Sequence, residues 1–568
     1  MIFSFFGFRK RRIKKSDISL DEILLDSSNL PAFNTGRMEG KLEQPIGKRN
    51  IVAVGLLFLI VVSVFGWKLF TLQIVNGAAF AERSKQNGLL DTLIVAERGV
   101  VRDRNGELLA WNEVDQTGEY NFPVRAYSDR QGLGQVIGYV SYPQKDTSGF
   151  YFREEYLGRT GIEESFDTLL AGKNGHQLVE STVHGEVISE HVIDVPQKGK
   201  DIELSLDAGL TEFMYQTISS STKETGFRSG AGAIMDVQTG EILAMTSFPS
   251  YDPEILSDGD DVAAIAALNK DTRFPFLNKI TGGVYIPGSI VKPFVAYAAL
   301  AENVISPDKI IVSNGSISIP NPYNPSNPSI FNDWRAHGPM NMVKALAFSS
   351  DVYFYEIGGG FKDQPGLGIL KIDEYMKLFG IGEKTGIPLF GEVSGTIPTP
   401  EWKRKTFDDD WRLGDTYFTS IGQYGFSVTP LQMLRAYAAL ANNGTLLQPQ
   451  VIKDSSLVGT DLGLNQDDLA VVHQGIRETV IGEGGTVGVL RRNDVTIAAK
   501  SGTAELDSSD TYLNTWVAGY FPYEKPRYAF ILFMEKGPYT NTVSAGRVMN
   551  KVFDWMTIHR PDYLLEEE

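Results

Sequence analysis

From Ile51 to Trp67 the chain runs without a charge, as IVAVGLLFLIVVSVFGW. Continued to Phe70, this stretch is long enough to cross a bilayer as one helix. Lys68 can reach from its end to the interface, and Trp67 suits that depth. Over residues 71–205 the pattern becomes mixed. Turn-rich stretches such as Asp103-Arg104-Asn105-Gly106 and Gly172-Lys173-Asn174-Gly175 punctuate it, and the β-branched-rich runs Leu178–Val183 and Val187–Val195 predict strands. From about residue 200 the pattern changes again. Ala231–Met235 and Glu241–Ser247 predict two strands, joined as a hairpin by Asp236-Val237-Gln238-Thr239-Gly240. Helical stretches dominate between Ile290 and Leu440, among them Phe294–Glu302 and Leu431–Ala441. The Pro- and Asn-rich Asn321–Pro328 is a loop. Strand character returns at Val495–Ala504, Thr515–Phe521 and Tyr528–Phe533. Strands at both ends of a domain with helices between them predict one antiparallel sheet whose halves are distant in sequence, an α+β fold. No repeat at a solenoid period interrupts this reading.

A chain of 568 residues is too long for one hydrophobic core, so two to four domains are expected. The net charge of −17 argues against a nucleic-acid partner. The first fifty residues depart from it, with ten Lys or Arg against six Asp or Glu. Six of those basic residues fall between Arg9 and Lys15, and Lys48 and Arg49 stand directly before the apolar run. Basic residues before a spanning helix keep the N-terminus in the cytoplasm. Ala79-Phe80-Ala81 would suit a signal peptidase, but it lies too far beyond the run, and the arm and the run are too long for a signal peptide. An uncleaved anchor is expected. There are no cysteines, which excludes disulfides and thiolate metal sites. The six histidines, His337 included, show no paired metal-ligand spacing and read as ordinary surface or core residues.

Three short motifs stand in order: Ser289-Ile290-Val291-Lys292, Ser349-Ser350-Asp351 and Lys500-Ser501-Gly502. They supply a hydroxyl nucleophile, an amine beside it, a second hydroxyl and a carboxylate-binding strand. Those are the parts of a serine acyl transferase that uses Lys where others use His. Ser289 follows Pro287-Gly288 and opens a helical stretch, so Lys292 at i+3 is expected on its face, beside the hydroxyl. Burial or a neighbouring cation would lower the Lys292 pKa and let it take the serine proton. Free N–H groups in that first turn would favour a developing oxyanion. Singly, each motif is weak. S-x-x-K recurs at Ser220–Lys223 and Ser306–Lys309, S-x-D or S-x-N at Ser27–Asn29 and Ser508–Asp510, and K-[ST]-G at Lys384-Thr385-Gly386. Context separates them. Lys500 follows the alternating run Val495–Ala499 and belongs to a strand, whereas Lys384 sits among Gly380, Gly382, Gly386 and Pro388 in a loop. Gly502 is expected to leave room for a substrate alongside that strand. The 71–205 stretch holds no catalytic constellation and reads as a spacer.

The chain resembles the class B penicillin-binding proteins, most closely those of the elongation type. The resemblance runs from the anchor to about Trp555 and rests on several stretches in family order. They are Arg98-Gly99-Val100-Val101-Arg102-Asp103-Arg104-Asn105-Gly106, then Tyr156-Leu157-Gly158-Arg159-Thr160-Gly161-Ile162-Glu163, then Pro287-Gly288-Ser289-Ile290-Val291-Lys292-Pro293-Phe294. Ser349-Ser350-Asp351-Val352-Tyr353-Phe354-Tyr355, Gly422-Gln423, Thr429-Pro430-Leu431-Gln432 and Lys500-Ser501-Gly502-Thr503-Ala504-Glu505 follow. Asp351, where septal-type relatives usually have Asn, favours the elongation type. Two departures stand out. Only about fifty residues separate the D-R-N-G and Y-L-G-R-T-G segments, so the head subdomain that longer relatives carry there is reduced. Some relatives hold a metal near the site through a Cys inside the S-x-D triplet; Ser350 stands there instead, so no metal and no cofactor is expected.

The resemblance implies a cytoplasmic tail (1–50), a transmembrane helix (51–70), a mostly β pedestal (71–205) and a penicillin-binding transpeptidase domain (206–568) with helices flanking its sheet. It implies a D,D-transpeptidase of the cytoplasmic membrane, catalytic part outside, that cross-links peptidoglycan stem peptides, binds β-lactams and has D,D-carboxypeptidase activity as a side reaction. Ser289 would attack the penultimate D-alanine carbonyl with Lys292 as base. Ser349 would relay the proton, Asp351 would orient Lys292, and Lys500, Ser501 and Thr503 would hold the terminal carboxylate. The Ser289 and Thr503 N–H groups would form the oxyanion hole. The implied partner is a membrane-embedded glycan polymerase. A β-lactamase is the less fitting alternative, because an anchor and a large spacer disfavour it. A septal transpeptidase and a β-lactam-binding sensor or scaffold without turnover are the others.

Overall fold

The apolar run forms helix α1, Lys48–Phe70, and continues through a wider turn at Thr71–Val75. It therefore extends past the expected end at Phe70. The segment Thr71–Val75 carries no charge to stop it, and the Thr71 hydroxyl donates to the Lys68 carbonyl at 2.9 Å. Ile51–Val75 is 25 residues, about 37 Å at the helical rise, enough for a hydrocarbon core of about 30 Å. This helix belongs to one body of the structure and Leu90–Glu568 to another. The structure is a computed structural model describing residues 48–80, 89–116, 118, 120–147, 151–181, 187–321, 324, 326–506, 511–541 and 543–565. The basic arm Arg9–Lys15, the Ser27–Asn29 and Ser508–Asp510 triplets, Ala81, Val183, Pro322, Tyr323 and Pro325 lie outside the described residues.

The second body begins with short strands. β1 (Leu89–Ile94) lies beside the hairpin β5 (Gly175–Ser181) and β6 (Val187–Asp194), where the β-branched runs predicted strands. A four-stranded sheet joins β2 (Val101–Arg102), β3 (Leu108–Glu113) and β4 (Val124–Tyr127) to β7 (Ile202–Glu203), in the order β7-β2-β3-β4. The D-R-N-G turn links β2 to β3: the Asp103 carboxylate accepts from the N–H groups of Asn105 and Glu107 at 2.9 and 2.8 Å. Its other oxygen accepts from Ala208 N at 3.2 Å, at the start of helix α2 (Ala208–Thr225). The two upstream motifs meet through buried charge. Arg98 Nε lies 2.5 Å from Glu163, Arg125 Nε lies 2.7 Å from its other oxygen, and all three side chains are fully buried.

The larger part is built on a five-stranded antiparallel sheet. Its hairpin β8 (Ser229–Asp236) and β9 (Ile242–Phe248) comes early in the chain. The other three strands come some 250 residues later: β10 (Ala498–Glu505), β11 (Tyr512–Phe521) and β12 (Tyr528–Pro538). The order is β9-β8-β12-β11-β10, with Ile234 opposite Phe530, so the distant halves pair as expected. Both faces are covered, and β12 shows it residue by residue. Phe530, Leu532 and Met534 join one core with Leu210 and Met214 of α2 and with Val548 and Phe553 of the C-terminal helix Ala545–His559. Ile531 and Phe533 join the other, with Leu431 and Leu434 of helix Pro430–Ala441. Period-2 alternation between two buried faces explains why this strand reads as a continuous apolar run. β10 stands at the sheet's edge.

Burial opposes ionisation of Glu163, but Arg125 and Arg98 outweigh it and hold the carboxyl below its usual range. A lowered carboxyl stabilises the fold above its unfolded pKa, and that stability is lost as pH falls. Glu163→Gln removes the charge and leaves two buried guanidiniums facing an amide. It is expected to cost about 3–5 kcal/mol, read as a lower midpoint of thermal or urea unfolding of the part from Leu90 onward at neutral pH. The deficit should shrink toward acid pH. A midpoint equal to wild type at pH 7 would refute it.

Candidate active site

Ser289 sits in a tight 3-10 turn, Gly288–Val291, that runs into helix α3 (Lys292–Ala301). Three contacts pin the turn. Gly288 has φ +56°, and a Cβ there would lie 2.4 Å from the Thr503 carbonyl of β10. Its N–H donates to the Gly422 carbonyl at 3.0 Å, which places the Gly422-Gln423 motif against the nucleophile turn. From below, Trp516 of β11 donates its indole N–H to the Ile286 carbonyl at 3.0 Å. The Ser289 side chain is half-buried.

Lys292 is fully buried, and its amine sits among acceptors of the second motif. Lys292 Nζ lies 2.7 Å from Asp351 Oδ1, 2.7 Å from the Ser349 carbonyl and 3.3 Å from Ser349 Oγ. No hydrogen bond joins it to Ser289 among the described residues. The Asp351 carboxylate and the Ser349 carbonyl are stronger acceptors for a buried amine than one neutral hydroxyl.

Ser349 joins the motifs. It ends helix α4 (Met342–Phe348) in the left-handed region, with φ +57°, a conformation that costs a serine energy. The corner turns the chain into helix α5 (Asp351–Gly359), which Ser350 caps by accepting from Tyr353 N at 3.3 Å. Ser349 Oγ thereby faces two amines, Lys292 and, at 2.7 Å, Lys500 Nζ. Burial is the first cause that drives the Lys500 amine well below its ordinary pKa; the Lys292 charge adds to it and Asp351 opposes it. Burial raises the Asp351 carboxyl, Lys292 counters, and Asp333 adds to the rise.

Along β10 the side chains alternate: Lys500 and Gly502 are buried, Ser501 is half-buried and Thr503 exposed. A Cβ at Gly502 would lie 2.7 Å from the Pro287 carbonyl and 3.0 Å from Ile290, so its bareness admits the Ser289 turn. The motif look-alikes stay apart. Ser220 is exposed on α2 and bonds to its own helix, Ser306 is exposed in a turn, and Lys384 is exposed in a loop. Two neighbours escaped the sequence reading. Thr486 Oγ1 lies 3.0 Å from Ser501 Oγ, in a glycine-rich stretch that was the available signal. Asp333 contacts the Ser349–Val352 corner, and nothing in its local sequence marks it. Among the described residues no group of three or more His, Asp or Glu side chains could hold a metal ion.

A serine on a helix-opening turn, two buried lysines sharing a second hydroxyl and an open sheet edge define a lysine-assisted serine acyl transferase. The penicillin binding protein transpeptidase domain matches residues 230–554, and the penicillin-binding protein dimerisation domain matches residues 120–204. The chain belongs to the penicillin-binding protein transpeptidase family, in its class B, elongation-type branch. It is 29% identical to the peptidoglycan D,D-transpeptidase MrdA of Escherichia coli, over 90% of this chain and 94% of that one. Penicillin-binding protein 2 of Helicobacter pylori, solved in complex with MreC, superposes with a TM-score of 0.69 at 25% identity, covering 83% of this chain and 98% of that one. A chain of a peptidoglycan synthase complex that coordinates polymerization and crosslinking gives the same TM-score at 25% identity, covering 90% and 98%.

The geometry separates the two K-[ST]-G lysines. Lys500→Ala is expected to slow acylation by penicillin at least ~10-fold, the scale of one charge-assisted hydrogen bond. Lys384→Ala should leave the rate within about twofold, as for an exposed lysine without a buried partner. Equal losses in stopped-flow measurements of the two variants would overturn the choice.

Proposed function

We propose that the chain cross-links peptidoglycan during cell elongation, as a D,D-transpeptidase working through an acyl-enzyme on Ser289. The observation that carries it is the convergence of Lys292 and Lys500 on Ser349 Oγ, next to a pinned serine turn. In the first step Ser289 Oγ bonds to the carbonyl carbon of the penultimate D-alanine. The bond to the terminal D-alanine nitrogen breaks, and the Ser289 proton ends on that leaving amine. Lys292 takes the proton, which requires its amine to swing from Asp351 toward Ser289 or to act through Ser349. Ser349 passes the proton on, with the depressed Lys500 amine stabilising the relay. Asp351 orients Lys292. Lys500, Ser501 and Thr503 receive the terminal carboxylate, and the N–H groups of Ser289 and Thr503 receive the oxyanion. In the second step an acceptor amine attacks the ester and its proton returns to Ser289 Oγ. Water in place of that amine gives the carboxypeptidase side reaction. A β-lactam enters by the same first step and stays as the ester.

The same proposal divides the chain into a tail (1–50), an anchor (51–70, extended to Val75), a pedestal with a reduced head (71–205) and the transpeptidase domain (206–568). The basic residues before α1 support an N-terminus in the cytoplasm and a catalytic part outside it. Residues 71–205 offer no glycan-polymerising chemistry, so a membrane-embedded polymerase supplies the strands. The related chain of a synthase complex supports such a partner. With a reduced head, that contact rests on the anchor and the membrane-proximal pedestal.

Two outcomes test this reading. Fluorescent penicillin should label wild type, Ser220→Ala and Ser306→Ala, and fail to label Ser289→Ala; label on a Ser220 or Ser306 peptide would overturn the assignment. Replacing residues 51–70 with an unrelated spanning helix should preserve labelling and weaken co-purification with the polymerase. An intact complex after the swap, or polymerisation of lipid-linked precursor by the purified protein alone, would refute the partnership.

A further inference from the structure

The Ser349–Val352 corner is strained at Ser349 and opens a helix whose first N–H groups need acceptors. One side chain outside all three motifs supplies them. Asp333 Oδ1 accepts from Asp351 N at 3.0 Å and from Trp334 N at 3.0 Å. Asp333 Oδ2 accepts from Ser350 Oγ at 2.5 Å, Ser313 Oγ at 2.9 Å and Val352 N at 3.1 Å. His337 Nε2 lies 3.4 Å from Oδ1, and both side chains are fully buried. One carboxylate thus grips three consecutive residues, Ser350, Asp351 and Val352, and ties them to Ser313 on a separate strand, Ile311–Ser313. Asp333 does not touch Lys292, Ser289 or Lys500 by hydrogen bond among the described residues.

We propose that Asp333 is a positioning residue, whose carboxylate sets the Ser349–Val352 corner so that Ser349 Oγ and the Asp351 carboxylate meet the Lys292 amine together. The geometry demands a carboxylate. Five donors converge on its two oxygens, three of them backbone N–H groups that have no lone pair to offer an amide NH2. An asparagine turned either way sets its NH2 against at least one of those N–H groups. The corner is then released on one side and Ser349 can leave its left-handed conformation. Lys292 loses the joint hold of Ser349 and Asp351, while Ser501 and Thr503 on β10, which make no hydrogen bond to the corner among the described residues, still receive the substrate's carboxylate. The defect therefore falls on the chemical step and not on binding.

This inference rests on the proposed acylation of Ser289, and its test keeps the two apart. Full-length protein in detergent is titrated with fluorescent penicillin to count reactive sites, and acylation is then followed over a range of penicillin concentrations. Asp333→Asn should still label Ser289, with the limiting acylation rate per titrated site down at least ~10-fold and the half-saturating penicillin concentration within about twofold. Asp333→Glu should recover part of the rate. Ser313→Ala is the second variant, for the case that Asp333→Asn does not fold. It removes one of the five donors without touching the motif, and a fall of about threefold with unchanged half-saturation is expected. A limiting rate per site equal to wild type in Asp333→Asn, or in Ser313→Ala where the first variant does not fold, overturns the proposal. So does a loss confined to half-saturation or to the number of titratable sites. Loss of the proposed function would show differently, as labelling that survives in Ser289→Ala.

Discussion

The site depends on one hydroxyl oxygen shared by two buried amines. Lys292 and Lys500 both reach Ser349 Oγ, and two ammonium groups at such distances in a water-poor setting repel strongly. The structure resolves the conflict asymmetrically. Lys292 has a carboxylate at 2.7 Å, whereas Lys500 has only the hydroxyl and the Ser501 carbonyl. Burial then drives the Lys500 amine toward the neutral form, with the Lys292 charge reinforcing it. A hydroxyl that bridges two amines is an arrangement that can pass a proton in either direction. Acyl transfer needs that reversibility, because the proton leaves the serine in the first step and returns to it in the second.

Holding this arrangement requires a rigid frame, and the frame comes from both ends of the catalytic part. β10 carries Lys500 and reaches β8 only through β11 and β12. The helices that carry Lys292 and Ser349 lie between these strands in sequence. Closing the sheet therefore brings the third motif to the first two. Main-chain contact finishes the alignment: Gly288 and Gly502 have no side chain where the nucleophile turn meets the edge strand. A methyl at either position would collide with a carbonyl, not with a side chain able to rotate away.

The strands, the anchor and the order of the three motifs were legible in the sequence because each is a local pattern. Continuous apolar runs marked β8, β9 and β12, and the absence of charge marked α1. Context also sorted true motifs from look-alikes, since Lys500 sits on a strand and Lys384 in a loop. What stayed hidden was tertiary. The spacing of Ser289 and Lys292 places them on one helix face, but it says nothing of Asp351, whose carboxylate holds the lysine amine at 2.7 Å. Gly502 announces that something approaches closely, without saying whether a substrate or the protein's own backbone does. Asp333 and Thr486 belong to none of the motifs read from the sequence, and their partners Ser350, Ser313 and Ser501 stand 15 to 20 residues away, outside local periodicity.

The nucleophile and its amine are held by different means, and that difference bears on mechanism. The Ser289 turn is fixed mainly by main-chain contacts, Gly288 to Gly422 and Gly288 against Thr503, with the Trp516 indole N–H on the Ile286 carbonyl. The Lys292 amine is fixed by side chains and by a strained corner. Backbone clamps yield little when charge moves, while a side-chain ion pair weakens as soon as its amine gives up the proton's charge. Ser289 is thus held through the main chain and the Lys292 amine through side chains, so a change of charge at the site acts first on the lysine.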